Sequence, residues 1–301
     1  MKKSLALLTV LVLALSLAGC GWFDSGQPSE DGITLVDDFD REVVLEQPAQ
    51  RIISLVPANT EMVYALGIGD RMVGVSDFCN YPPEAEEVTA VGGFDVPNIE
   101  LIASLEPDLV MAASLHKETV ESLETAGVPV LALDPQSIEE IYANIRLIAQ
   151  ATGQEEAGEM VVEDMEQRLD QVEQALSGLE EEERPTVFYE VWYPGISTAG
   201  EDTFIDEMIT LAGGKNLAWG ISRWTDIQEE EVLARNPDII VHGYPDGPPE
   251  DFAQREGWNV ITAIQEDKIH FINPDITSRT GPRVVDAVEE MARAFHPDLF
   301  E

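Results

Sequence analysis

Short apolar runs alternate with helical patterns along most of the chain, and one long stretch divides them. From Glu155 to Glu183 the apolar residues Val161, Met165, Leu169, Val172, Leu176 and Leu179 recur at three- and four-residue steps, which draws one stripe down a helix. The positions between are mostly Glu, Asp, Gln or Arg, so the opposite face belongs in water. At 1.5 Å per residue, roughly 25 helical residues span about 38 Å, the width of a small domain. The stretch is predicted to be a strut between two lobes, although an ordinary surface helix of one large domain has the same periodicity.

On its N-terminal side, Thr34 to Leu45 alternates as a hairpin does, and Arg51 to Val56 is a continuous apolar run of the kind buried on both faces of a sheet. A helix is expected after it, with Asn59 or Thr60 as N-cap and Glu61 in its first turn. Strands over 72–75, 108–112 and 128–133 then alternate with helices over 98–105, 117–126 and 137–151. Beyond the long helix, strands over 186–191, 238–242 and 268–272 alternate with helices over 203–211, 229–234, 258–264 and 282–295. This spacing predicts an α/β protein of two parallel-sheet lobes joined by one long connecting helix, with a ligand cleft between the lobes. The expected divisions are a leader over 1–19, a tether over 20–33, lobes over 34–153 and 184–301, and the connecting helix over 154–183.

The leader changes the picture of where the chain works. Lys2 and Lys3 precede an apolar run from Leu5 to Leu17, the form of a secretory signal and too short for a comfortable membrane span. Leu17-Ala18-Gly19-Cys20 resembles the bacterial lipoprotein cleavage box, which implies a lipid on Cys20. The Gly/Ser/Asp/Pro-rich segment after it reads as a flexible tether. With Cys20 acylated, Cys79 is the only other cysteine and no disulfide can form, so stability must come from the core. Acids outnumber Lys and Arg by 58 to 17, a net charge of −41. Loss of the leader removes two lysines and takes it to −43. Such a surface excludes nucleic acid and leaves the lipid as the only membrane attachment. The acids are spread over every segment, so an acidic coat on a folded monomer is expected, of the kind suited to a saline habitat.

Ligands of open parallel sheets bind outside the carboxyl ends of the strands. The loops there hold Phe78, Tyr81, Phe94, His116 and Lys117 in the first half. In the second half they hold Trp192, Tyr193, Arg223, Trp224, His242, Tyr244 and Arg279. A cleft walled by rigid aromatics with few charges suits a large, flat or partly apolar ligand. No nucleophile elbow, phosphate-binding glycine loop, HExxH or CxxC motif is found. His116 and His242 both follow strands, which leaves a tethered metal-dependent enzyme as a remote alternative.

The motifs carry a resemblance at this point. Residues 51–61 (RIISLVPANTE), 73–76 (VGVS) with 81–85 (YPPEA), 92–94 (GGF) with 97–100 (PNIE), and 107–110 (PDLV) resemble the helical-backbone periplasmic binding proteins of ABC importers for cobalamin, ferric siderophores and haem. Residues 212–216 (AGGKN), 232–238 (VLARNPD) and Pro282-Arg283 fit the same family. The resemblance implies an extracytoplasmic substrate-binding protein, not an enzyme, that partners a permease and ATPase and carries its ligand as cargo without a resident cofactor. It is nearest to the cobalamin-binding members, through 75–83 (VSDFCNYPP). By motif position Phe78, Phe94 and Trp224 would line a corrinoid cleft, with Tyr81, His116, Tyr193, Arg223, Tyr244 and Arg279 as further ligand-binding candidates. A siderophore, or haem held by Tyr193 or a histidine, is the alternative within the family. Glu100 and Glu230, each at the start of a helix before a Pro-Asp strand, match the positions that pair with arginines on the permease.

Overall fold

The computed structural model describes residues 32–243 and 249–300. β1 (Ile33–Val36) and β2 (Glu42–Leu45) pair antiparallel as the expected hairpin. There follow β3 (Ile52–Ser54), α1 (Pro57–Ala65), β4 (Met72–Val75), α2 (Ile99–Ser104), β5 (Leu109–Ala112), α3 (Lys117–Thr125), β6 (Val130–Ala132) and α4 (Ile138–Thr152). The four strands after the hairpin form a parallel sheet in the order β4-β3-β5-β6. Every residue of β3, β5 and β6 is buried, as a sheet covered on both faces requires.

The connecting helix, α5 (Glu155–Leu176), is 22 residues long and ends short of the predicted Glu183. The remaining residues explain the early stop. Ser177 and Gly178 follow, and glycine weakens any continuation of the helix because it loses more backbone freedom there than other residues do. Instead Glu181–Glu183 makes a single tight turn, in which the Glu180 N–H donates to the Glu183 carboxylate at 2.9 Å.

The second lobe comprises β7 (Thr186–Trp192), β8 (Ser197–Ala199), α6 (Phe204–Leu211), β9 (Lys215–Asn216), β10 (Trp224–Asp226), α7 (Glu229–Arg235) and β11 (Ile239–His242), then α8 (Pro249–Gln254), α9 (Thr262–Gln265), β12 (Ile269–Phe271), α10 (Pro274–Thr277) and α11 (Val284–Phe295). Its parallel strands run β7-β11-β12, with β9 alongside the start of β7. The short strands β8 and β10 add an antiparallel edge that the apolar pattern did not announce.

Packing departs from the picture of a bare strut. A single apolar core runs through both lobes along α4, α5 and α11: Ile52, Met111 and Leu131 belong to it from one sheet, and Val187, Tyr189 and Val241 from the other. Alternate residues of the same strands, such as Ile53 and Val110 or Phe188 and Ile240, turn to smaller cores on the outer faces. The buried stripe of α5 is Val162, Met165, Val172 and Leu176, with Val161 and Leu169 at its margin. Gly158 lets α5 approach α4, since a Cβ there would lie 2.6 Å from the Ala149 Cβ. Arg168 of α5 reaches α11 and donates to Asp286 at 2.6 Å and Glu289 at 2.9 Å. The helix is thus the shared spine of one core.

Candidate ligand-binding cleft

The loops after β3, β4, β5 and β6 face the loops of the second lobe across a cleft of about 540 Å³. Its first wall holds Phe78, Phe94 and Leu115, and its second holds Phe204, Trp224 and Arg279. Phe78 and Phe94 meet edge to face with ring centroids 6.5 Å apart, and Phe204 and Trp224 do the same at 5.8 Å. Each rim therefore carries a braced aromatic pair, and Phe78 and Trp224 leave about half their surface exposed (58 % and 50 %).

Four of the residues singled out from the sequence, Phe78, Phe94, Trp224 and Arg279, line the cleft. Others lie elsewhere. Tyr81 turns away to a groove beside α5, where the Arg283 guanidinium stacks on its ring at 3.8 Å. Tyr193 lies against Arg255, whose guanidinium sits 3.8 Å from its ring centroid and pairs with buried Glu190 at 2.5 and 2.7 Å. Arg223 is exposed and holds a left-handed backbone (φ 60°), its main chain bonded to Gly200 and Glu201. Tyr244 lies outside the described residues, as does Cys20. Lys117 opens α3 and is exposed, outside the cleft wall.

His116 is part of the scaffold. The Ala113 N–H donates to its Nδ1 at 3.0 Å, so the neutral ring carries its proton on Nε2, which donates to the Phe94 carbonyl at 2.6 Å. Both nitrogens are thereby used to hold the loop that presents Phe94. Burial keeps the imidazole below the ordinary histidine range, against the pull of the bond to the Phe94 carbonyl. His242 packs in the other lobe between Phe252 and Phe271, with ring centroids 5.5 and 5.6 Å away, and burial lowers its pKa as well. The two histidines are thus taken up separately, and no group of three or more His, Cys, Asp or Glu side chains among the described residues is placed to hold a metal ion.

The positive charge in the described cleft wall is already committed. Among its described lining residues the charged groups are Asp134, Asp275 and Arg279. Arg279 is 12 % exposed, and its Nη1 donates to Glu61 at 2.9 Å and to the Asn80 side-chain oxygen at 2.7 Å, while its Nη2 pairs with Asp275 at 2.8 Å. Glu61 is the residue that sequence reading misplaced. Pro57, not Asn59 or Thr60, opens α1, because proline needs no helical N–H in the first turn and is preset for it. Glu61 therefore sits a full turn inside α1 and points across to the second lobe. Phe204 was also missed, because its place after the Thr203 cap marked it only as a helix residue.

Glu100 and Glu230 are both exposed, in the first turns of α2 and α7.

Comparison with known proteins fits this architecture. Residues 52–276 match the model of the periplasmic binding protein family. An uncharacterized ABC transporter substrate-binding lipoprotein of Bacillus subtilis, YvrC, is 35 % identical over the whole of both chains. A vitamin B12-binding protein of Vibrio cholerae is 31 % identical over 81 % of this chain and 88 % of its own. The periplasmic haem-binding protein RhuT of Roseiflexus superposes with a TM-score of 0.74 at 28 % identity, over 83 % of this chain and 99 % of its own.

Proposed function

The chain belongs to the periplasmic binding protein family, and on that premise we propose that it captures cobalamin or a related corrinoid outside the cytoplasm and delivers it to an ABC permease. It is a substrate-binding protein of an ABC transporter, so a permease, an ATPase and a small-molecule ligand are its partners. The family is one of solute binders rather than enzymes.

The observation that carries the corrinoid reading is the cleft itself. Two braced aromatic pairs offer apolar faces to a large, flat ring, and the arginine in the wall is held by Glu61, Asp275 and Asn80. A ferric catecholate or the propionates of haem call for converging free cations. Among the described lining residues, Asp134 adds a further negative charge instead. Similarity to a vitamin B12-binding protein supports the same choice. Lipidation of Cys20 would anchor the monomer at the membrane, in keeping with the lipoprotein name of the Bacillus relative; among the described residues no helix is long and apolar enough to cross a membrane. Glu100 and Glu230 are the residues proposed to meet the permease.

Tryptophan-fluorescence titration with cyanocobalamin, ferric siderophores and haem tests the assignment. Cyanocobalamin should bind tightest, and Trp224→Ala should weaken it about tenfold or more, the worth of one buried aromatic face. Tight binding of haem or a siderophore with no response to any corrinoid would refute it.

A further inference from the structure

Glu61 lies between the cleft, which Arg279 lines, and the groove beside α5, which Arg283 lines. Its side chain is 2 % exposed, yet its partners come from residues 218 and 222 positions away, in the other lobe. One carboxylate oxygen accepts from Arg279 Nη1 at 2.9 Å and from Arg283 Nη2 at 2.6 Å, and the other accepts from Arg283 Nε at 2.8 Å. The contacts continue outward. Arg279 also reaches Asn80 and the Phe78 carbonyl, and the Asn80 amide donates to Asp275 at 3.0 Å. Glu61 and Asp275 balance Arg279 and Arg283, so the cluster closes on itself with no net charge.

We infer that Glu61 is a positioning residue for ligand capture: it clasps the two lobes at a fixed separation before any ligand arrives and holds the Phe78 rim in register with the Trp224 rim. This rests on the substrate-capture reading but not on the identity of the ligand. The clasp is buried, so salt screens it little, and removing the single carboxylate leaves two neighbouring guanidiniums of the second lobe without their carboxylate partner from the first. Among the described residues the chain crosses between the lobes through α5, where the shared apolar core lies, and a further hydrogen bond between the lobes runs from the Ile138 N–H of α4 to Glu207 of α6 at 3.0 Å. A ligand gripped between two rims should then leave faster when the rims lose register.

A cross-link can replace the clasp. A Cβ built on Gly281 would lie 3.7 Å from the Ala58 Cβ, within the range a disulfide spans. The experiment uses the full chain in detergent, as wild type, as Glu61→Gln, and as Glu61→Gln carrying Ala58→Cys and Gly281→Cys. Cyanocobalamin dissociation is followed by stopped-flow fluorescence, and backbone amide exchange is measured without ligand. Glu61→Gln should release cyanocobalamin about tenfold faster, a loss expressed in the off-rate as for other buried charge pairs. It should raise exchange in residues 57–65 and 274–284 above that in α3. The oxidised cross-link should restore both toward wild type, and reducing it should abolish the restoration. Unchanged dissociation, exchange raised evenly over both lobes, or acceleration that the cross-link leaves untouched would each overturn the inference. If the wild type fails to bind cyanocobalamin, the corrinoid assignment falls, and the exchange of the three proteins still decides on the clasp.

Discussion

His116 shows how a single side chain can look like a ligand in the sequence and serve as scaffold in the fold. It follows a strand, beside a cleft, which is where a metal-binding or proton-transferring histidine would sit. What the sequence cannot display is that its two nitrogens are consumed by the Ala113 amide and the Phe94 carbonyl, both of them backbone groups. The consequence is a definite pH dependence. Because burial puts the folded pKa below the ordinary value of about 6.5, the unfolded chain binds the proton first as pH falls. The contribution of this residue to stability is complete above that value and is lost as pH drops beneath it. Accordingly, the fall in unfolding free energy between about pH 7 and about pH 5.5 should be smaller in His116→Gln than in the wild type. Equal falls in chemical-denaturation series at the two pH values would contradict the assignment. The same limit on legibility applies to Glu61 and Tyr81. Their helix and their loop could be read, but their partners, Arg279 and Arg283, lie some two hundred positions away along the chain.

At the scale of elements, legibility followed the strength of the local pattern. The buried strands β3, β5, β7 and β11 and the helices α4 and α11 have long apolar runs or stripes, and the structure places them within a few residues of expectation. β8 and β10 are three residues each, STA and WTD, and are specified by pairing with each other and with β7 rather than by any periodicity of their own. The start of α1 was misjudged because the side-chain caps at 59 and 60 outweighed Pro57, and the end of α5 because its apolar stripe outlasts its helix. Of the cleft, the rule that ligands gather after strands found Phe78, Phe94, Trp224 and Arg279. It could not tell which loop residues turn inward, a matter of packing. The contact between α4 and α5 gives a sharp test of packing against propensity. Gly158→Ala should gain up to about 1 kcal/mol from helix propensity. Its new methyl, however, would lie 2.6 Å from the Ala149 Cβ, an atom with no flexible end to swing away. Forcing apart well-packed elements costs about 1–3 kcal/mol, so the substitution should lower the melting temperature. Gly178→Ala, where a Cβ meets nothing within 4 Å, is the control and should be near neutral. A stabilised Gly158→Ala protein would show that the two helices can separate freely.

For the molecule as a whole, the dominant quantity is a charge of −41, which burial and pairing do little to offset. With 58 acids against 17 bases, even complete pairing would leave most carboxylates facing only water and one another. Salt acts on this surface in two directions. It weakens exposed pairs such as Arg146–Glu159, 3.0 Å apart with both side chains well exposed (39 % and 54 %). Each such pair contributes only about 0–1 kcal/mol, and few exist. It also screens the mutual repulsion of the unpaired acids, cutting its range to about 3 Å at 1 M from about 30 Å at 0.01 M. Repulsion wins by number, since the folded state crowds these charges more closely than the unfolded chain does. The buried pairs Glu61–Arg279 and Glu190–Arg255 stand outside the reach of ions, so these two contacts should keep their strength throughout. Melting temperature should therefore rise steadily from about 0.01 M to about 1 M sodium chloride, with most of the gain over the range in which the screening length falls below the spacing of surface carboxylates. A comparable concentration of an uncharged osmolyte separates screening from general exclusion, and should give a smaller rise at low concentration, where screening alone acts. A melting temperature that stays flat in salt would mean that the acidic coat is already neutralised by bound counter-ions, and would remove the physical ground for linking it to a saline habitat.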